Sequence, residues 1–409
     1  MIKRRQFNAA LLGTFVAAMP GIASGRPVAP SSIYHASVGR RLFAYRIDVS
    51  RGRLLQVGDA VSAPEAIQFG WAHPVRNLLY VASSDQKSGR HFLSAFSIDD
   101  EGRPTPFGPS AQLSARPINL TVDHEGRFIL VAYNSPSGVT VHRIGEDGGI
   151  AELVPQSAAL ETGVYPHQIR VMPSNNAVLV PARGNDPKAS AAEDPGSLRV
   201  FSFKDGQLSN AQTVSPGGGL DFRPRHADFA PSGGWAYLTL ESQNMMQTYR
   251  ITDDRLSDDP LYAASTLDPA QPAKRGQLAS AIRVHPNGGH VYVANRGTGT
   301  EKLDDGRRVI IGENTIAVFA INQATGEPAM IQRIDTRGVH ARAMDISADG
   351  QWLVAGSIRP ALVRDGDSIV TSPAGLTVFR VQPDGRLRYA EKLDIDTGGD
   401  SVFWVGAWR

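Results

Sequence analysis

Three observations predict an all-β protein, a seven-bladed β-propeller with four-stranded blades. A hairpin with one turn chemistry recurs six times, at intervals of about fifty residues. Each recurrence is followed by a second β-rich element, which brings the unit to four strands. A seventh copy of that second element, near the amino end, lacks a hairpin of its own, and a strand at the carboxyl end can complete it.

The clearest hairpin runs from Phe222 to Glu241. Its turn, Pro231-Ser-Gly-Gly234, stands between two runs that alternate apolar and polar residues. Its relatives turn at Pro74, His124, Pro173, Pro286 and Ala348. With Pro231 in its place, the successive spacings are 50, 49, 58, 55 and 62 residues. The second element reads Ala95-Phe-Ser-Ile98, Val200-Phe-Ser-Phe203, Val318-Phe-Ala-Ile321 and Val378-Phe-Arg-Val381; Val139 to Ile144 and Thr248 to Ile251 fill the same place. The seventh copy is Leu42-Phe-Ala-Tyr-Arg-Ile47, and Ser401 to Ala407 is the strand expected to close it and remove the exposed sheet edge. The longer spacings come from four polar insertions, 186–196, 268–276, 297–313 and 359–374. All four fall on connections, where a rigid scaffold usually carries its function.

The 42 Lys and Arg against 40 Asp and Glu leave a net charge of only +2. With no basic tract interleaved with aromatics, nucleic acid is not an expected partner. The absence of cysteine excludes disulfides, thiol catalysis and thiolate metal sites. Residues 1–25 read as an export signal: Lys3-Arg4-Arg5, a short apolar run from Ala9 to Met19, then small residues at Ala23-Ser-Gly25. Arg4-Arg5-Gln6-Phe7 resembles a twin-arginine signal. The expectation is a periplasmic or secreted protein, free of the membrane after cleavage, with residues 26–409 as one propeller domain.

Six residues before each turn lie Gln68, Ile118, His167, Arg225, Ser280 and Arg342; ten after it lie Ser84, Asn134, Arg183, Glu241, Arg296 and Ile358. Both positions fall at the open end of the innermost hairpin, so they ring one mouth of the central channel. Reflecting each hairpin about its turn sets Arg225 opposite Glu241 and His167 opposite Arg183, with Cβ atoms roughly 5 Å apart. Polar, solvated channel lining is the plain explanation. Yet four arginines around one glutamate and one histidine are expensive to gather without a ligand. Such a funnel attracts a small carboxylate- or phosphate-bearing anion, which arginine grips bidentately. Arg183, Arg342, Ser280 and Asn134 are the expected substrate-binding positions. His167 and Glu241 are the groups able to move a proton. On strand alternation His226 points to the face opposite Arg225, and Arg170 and Arg283, on that face, brace neighbouring blades. No His-Glu-x-x-His, Gly-x-Ser-x-Gly or phosphate-cradling loop is present, and neither metal nor cofactor is expected.

Pro166-His167 with Pro181-Ala-Arg-Gly-Asn-Asp186, Pro224-Arg225-His226 with Glu241, and His285-Pro-Asn-Gly with Asn295-Arg296 are similar to the lactonase family of seven-bladed propellers. This is the type of 6-phosphogluconolactonase and of 3-carboxy-cis,cis-muconate lactonizing enzyme. By repeat count the resemblance runs over residues 33–409. It implies a metal-independent catalytic site at His167, Arg225, Glu241 and Arg296, and hydrolysis of a small anionic lactone. A water between His167 and Glu241 would lose a proton to one of them, and Arg225 or Arg296 would hold the oxyanion. The alternatives are a cycloisomerase that closes or opens a lactone with the same residues, and an exported binding propeller with no catalytic group.

Overall fold

The computed structural model describes residues 32–270 and 273–408. The export signal expected over residues 1–25 lies outside them. Seven antiparallel sheets, each four strands deep from the channel outward, with the outermost place split between two short strands in two of them, account for nearly all the regular structure. The inner strands of blades 1 to 6 are Ile67–Ala72, Pro117–Val122, Arg170–Val171, Pro224–Phe229, Gln277–Val284 and Ala341–Ile346. Blade 7, the unit of Leu42–Ile47, is closed from the carboxyl end as the sequence predicts: its inner strand is Val402–Ala407, which pairs with Ile33–Val38. Two of the insertions fold into hairpins of their own, Thr300–Lys302 with Arg308–Ile310 and Ala361–Asp365 with Ser368–Ser372. Arg364 Nη2 bonds Glu301 Oε1 at 2.9 Å between them.

Blades alternate apolar residues on both faces because both faces are covered. The core is accordingly a set of seven clusters, each spanning two adjacent blades. Tyr80 and Leu93 of blade 1, for example, pack with Leu120 and Val131 of blade 2. Blade 7 seals to blade 6 through Tyr34, Val354, Leu376 and Val405. Buried tyrosines tie blade to blade as well: Tyr34, Tyr80 and Tyr292 donate to the carbonyls of Trp352, Gly148 and Gly385 at 2.8, 2.7 and 3.0 Å.

One irregularity repeats in all seven blades. The register of the innermost pair shifts at Gln68, at Ile118, within 166–170, at Arg225, at Ser280-Ala281, at Arg342 and at Phe403-Trp404. These are β-bulges, which insert an extra residue, bend the strand and re-aim its side chains. They correct the expected pairing. Glu241 is opposite Arg223, with its N–H on the Arg223 carbonyl at 2.9 Å, and Arg183 is opposite Tyr165 at 2.9 Å. The true register is two residues from the predicted one at the mouth. A two-residue slip keeps every side chain on its face, so the residues still converge.

Candidate functional site

The site is built at the open ends of the inner hairpins, in two layers. Glu241 anchors the buried layer from the end of strand Trp235–Leu240. Its Oε1 accepts Arg225 Nε at 3.1 Å and also Arg296 Nη2, while Oε2 accepts Arg183 Nε at 2.5 Å. Three blades thus send one guanidinium each to a single carboxylate. The same arginines reach two imidazoles: Arg225 Nη1 lies 3.2 Å from His226 Nδ1, and Arg296 Nη1 lies 3.0 Å from His340 Nε2. A guanidinium only donates, so both of those ring nitrogens are unprotonated acceptors. His167 completes the layer, its ring 5.0 Å from that of His226. Its Nδ1 and the Nε of Arg296 are buried without a hydrogen-bond partner. A cavity of about 20 Å³ among His167, Arg225, His226, Arg342 and Phe403 has room for one water molecule.

The half-buried outer layer consists of Arg116, Tyr165, Arg183, His340 and Arg342. Arg342 lies over the Phe403 ring, 4.2 Å from its centroid. Arg116 bonds the amide oxygen of Gln68 at 2.9 Å. A cleft of about 500 Å³ opens beside it, lined by Gln86, His91, Arg116, Asn134, Pro136 and Tyr165.

Charge is out of balance here. Burial would raise the Glu241 carboxyl, but Arg296, Arg225, His167 and Arg183 together hold it well below the usual carboxylate range. Arg183 has Asp186 Oδ2 as a second partner at 2.9 Å, but Glu241 alone is set against Arg225, Arg296 and the nearby Arg342. Burial, then Arg296, pushes Arg342 down to about 9. Burial with Arg296 and Arg342 likewise opposes the charge on Arg225. Burial and Arg225 push both His167 and His226 well below the ordinary histidine value, and burial with Arg296 takes His340 to about 3. All three histidines are neutral at pH 7. Among the described residues no group of His, Asp or Glu is placed to hold a metal ion.

The structure brings together six of the predicted residues: His167, Arg183, Arg225, Glu241, Arg296 and Arg342. Two others stand apart. Ser280 donates its hydroxyl to the Arg342 carbonyl at 3.0 Å and so belongs to the wall. Asn134 lines the cleft outside the carboxylate cluster. His226 is a correction: the bulge at Arg225 cancels strand alternation, so His226 lies against both Arg225 and His167. Sequence reasoning missed Arg116, Tyr165, Arg223 and His340, although the repeat contains them. They stand eight residues before their turns, two before the ring position, and side chains two apart share a strand face. Arg223 is wholly buried and bonds Asp186 Oδ1 at 2.8 Å and Glu193 Oε1 at 2.6 Å, pinning the 186–196 insertion at the rim.

At the opposite end of the channel, Arg170 and Arg283 brace blades as expected. Arg170 Nη2 meets Asp228 Oδ1 at 2.8 Å and Arg283 Nε meets Asp345 Oδ1 at 2.6 Å. The second carboxylate oxygens accept the backbone N–H of Val284 and Ala407, each at 2.9 Å, on the next blade around.

The family profile described as "Lactonase, 7-bladed beta-propeller" matches residues 32–363. The chain belongs to this family. It is 28% identical over 292 residues to the 6-phosphogluconolactonase of Bacillus subtilis, covering 68% of this chain and 74% of that one. To the 6-phosphogluconolactonase of Yersinia enterocolitica it is 26% identical over 302 residues, covering 72% and 78%. Among solved structures, a protein from Lactobacillus plantarum superposes with a TM-score of 0.70 at 20% identity, covering 92% of this chain and 98% of that one. A periplasmic gluconolactonase from Pseudomonas aeruginosa superposes with a TM-score of 0.65 at 19% identity, covering 90% and 97%. At these identities the structural likeness speaks to the fold.

Proposed function

We propose that this protein is an exported lactone hydrolase that opens a small anionic lactone, of the 6-phosphogluconolactone kind, at the arginine-rich mouth and without a metal. Family membership and the relatives named 6-phosphogluconolactonase support the reaction class. The observation that carries the site is the state of its proton-transfer groups. Glu241 is ionised, its oxygens occupied by three guanidinium groups, and it is a poor base. His226 and His340 each have one ring nitrogen taken up by an arginine. His167 alone of these keeps a neutral ring with a buried nitrogen that has no partner, beside a cavity of one-water size.

His167 therefore acts as the base. It takes a proton from water as the water oxygen bonds to the lactone carbonyl carbon, and Arg225 and Arg296 receive the charge that develops on the carbonyl oxygen. Collapse of the tetrahedral intermediate breaks the ring C–O bond. The imidazolium of His167 returns its proton to the departing alkoxide, giving the hydroxy acid. Glu241 keeps the arginines in place and takes no proton. Arg183 and Arg342 hold the substrate's anionic group.

The test is acid release in a pH-stat from 6-phosphogluconolactone and from glucono-δ-lactone by the processed protein. Acceleration over the spontaneous rate is expected, and His167→Ala should lose about 10²–10⁴-fold in kcat, the range for a general base. A ring-closed or isomeric product with no water added would replace hydrolysis by cycloisomerisation.

A further inference from the structure

His340 lies outside the set of residues matched to the family motifs, yet it is a firmly positioned group of the outer layer. Its backbone is left-handed, with φ +57°, a conformation that non-glycine residues hold only when their surroundings impose it. Asn314 imposes it. The Asn314 side-chain oxygen accepts the His340 N–H at 2.7 Å and the Gly297 N–H at 3.1 Å. Gly297 follows Arg296, so one amide fixes both partners of the Arg296–His340 contact. Asn314 is itself secured, since its carbonyl accepts the backbone N–H of Thr336 at 2.9 Å and its hydroxyl at 2.8 Å. The preceding residue, Glu313, exchanges two hydrogen bonds with the Gln277 side chain, at 2.7 and 3.0 Å.

The chemistry of the contact fixes the proton. Arg296 has only donors to offer, so His340 Nε2 must present its lone pair, and the single proton of the neutral ring resides on Nδ1. We propose that His340 is a further catalytic residue of this site, a neutral Nδ1–H donor to a substrate oxygen, with Asn314 as its positioning residue. This rests on the lactonase reading. A neutral donor in the midst of cations stabilises a forming oxyanion without adding a fifth charge to the cluster, and it is ready in its tautomer before substrate arrives.

Two amide substitutions separate this role from mere support of Arg296. Asparagine places an amide near the imidazole Nδ1 and keeps the donor while losing the Arg296 contact. Glutamine reaches the Nε2 position and keeps an acceptor for Arg296 while losing the donor. The proposal expects His340→Gln and His340→Ala to fall about 10²-fold in kcat with little change in KM, and His340→Asn to stay within about tenfold of wild type. The reverse order, with glutamine restoring activity and asparagine not, would make His340 a prop for Arg296 and overturn the proposal.

A second readout is independent of turnover. In long-range ¹H–¹⁵N spectra of histidine-labelled protein at pH 7, the resonances lost in His340→Asn should report an Nδ1–H tautomer. Titrating D-gluconate should shift that Nδ1–H signal. An Nε2–H tautomer, an imidazolium at pH 7 or no shift with saturating gluconate would overturn the proposal. Should wild type turn over no lactone while the tautomer and the gluconate shift are both found, the hydrolase reading fails and His340 stands as a binding donor.

Discussion

The two ends of the channel use the same residue types to opposite effect. At the end formed by the hairpin turns, Arg170–Asp228 and Arg283–Asp345 are one-to-one pairs whose spare oxygens each hold an N–H of the next blade. Charge is balanced, and although burial opposes it, Asp345 keeps the Arg283 guanidinium above its ordinary value. At the open end three arginines bond Glu241 with Arg342 close by, and burial with mutual repulsion pulls Arg225 and Arg342 down. Buried charge is costly unless paired. The balanced end is therefore scaffold, and on the function proposed above the unbalanced end takes the substrate's anion.

That contrast can be broken by removing the carboxylate at the centre of the open end. Glu241→Gln leaves the buried guanidinium groups of Arg225 and Arg296 without a counter-charge, and Arg183 with Asp186 alone. We expect a loss of about 3–5 kcal/mol in urea unfolding, the usual result of removing one partner from a buried ionic cluster. Inorganic phosphate should restore part of the loss, by substituting for the missing charge.

Acid sharpens the contrast with a smaller effect. His167, His226 and His340 have folded pKa values below the unfolded value of about 6.5, so below that pH the unfolded chain binds more protons than the folded one. Their contribution is complete above about pH 6.5 and is lost as pH falls toward the depressed folded values. Glu241, also depressed, adds a further loss below about pH 4.3, where the unfolded carboxyl titrates. Unfolding free energy measured from pH 8 to pH 4 should be level at first and then decline. Turnover, limited by protonation of His167, should hold its plateau well below pH 6.5. An acid limb centred at 6.5 would contradict the neutral, buried His167. The smallest expected effect is that of EDTA, which should leave turnover unchanged in the pH-stat. Loss of activity restored by a divalent ion would give the open end a metal in place of the anion.

The propeller was legible because its repeat is written in turns, and turns depend on local chemistry: Pro231-Ser-Gly-Gly234 and its relatives mark every inner hairpin of blades 1 to 6. Convergence of His167, Arg225, Glu241 and Arg296 was legible for the same reason, since equal distances from equivalent turns reach equivalent places. The pairing of Arg225 with Glu241 was drawn for the wrong geometry. A bulge has no simple sequence signature, and a regular ladder could not anticipate that Arg225 would be the inserted residue while Arg223 faced Glu241. The same bulge moved His226 onto the functional face. His340 was missed because one ring position per strand was read. The histidine two residues before Arg342 was within reach of the period-two rule; the hold of Asn314, contributed by the far end of an insertion, was not.

The central claim is that excess arginine at one end serves chemistry and paired arginine at the other serves the fold. One paired measurement tests it directly: kcat on the hydrolysed lactone and unfolding free energy for Arg296→Ala and Arg170→Ala side by side. The account predicts that Arg296→Ala loses about 10²–10³-fold in kcat and less than half as much stability as Arg170→Ala. Arg170→Ala should lose about 3–5 kcal/mol and keep the kcat of wild type. Equal losses of stability with unchanged turnover in both variants would make the open mouth a second set of braces and contradict the account.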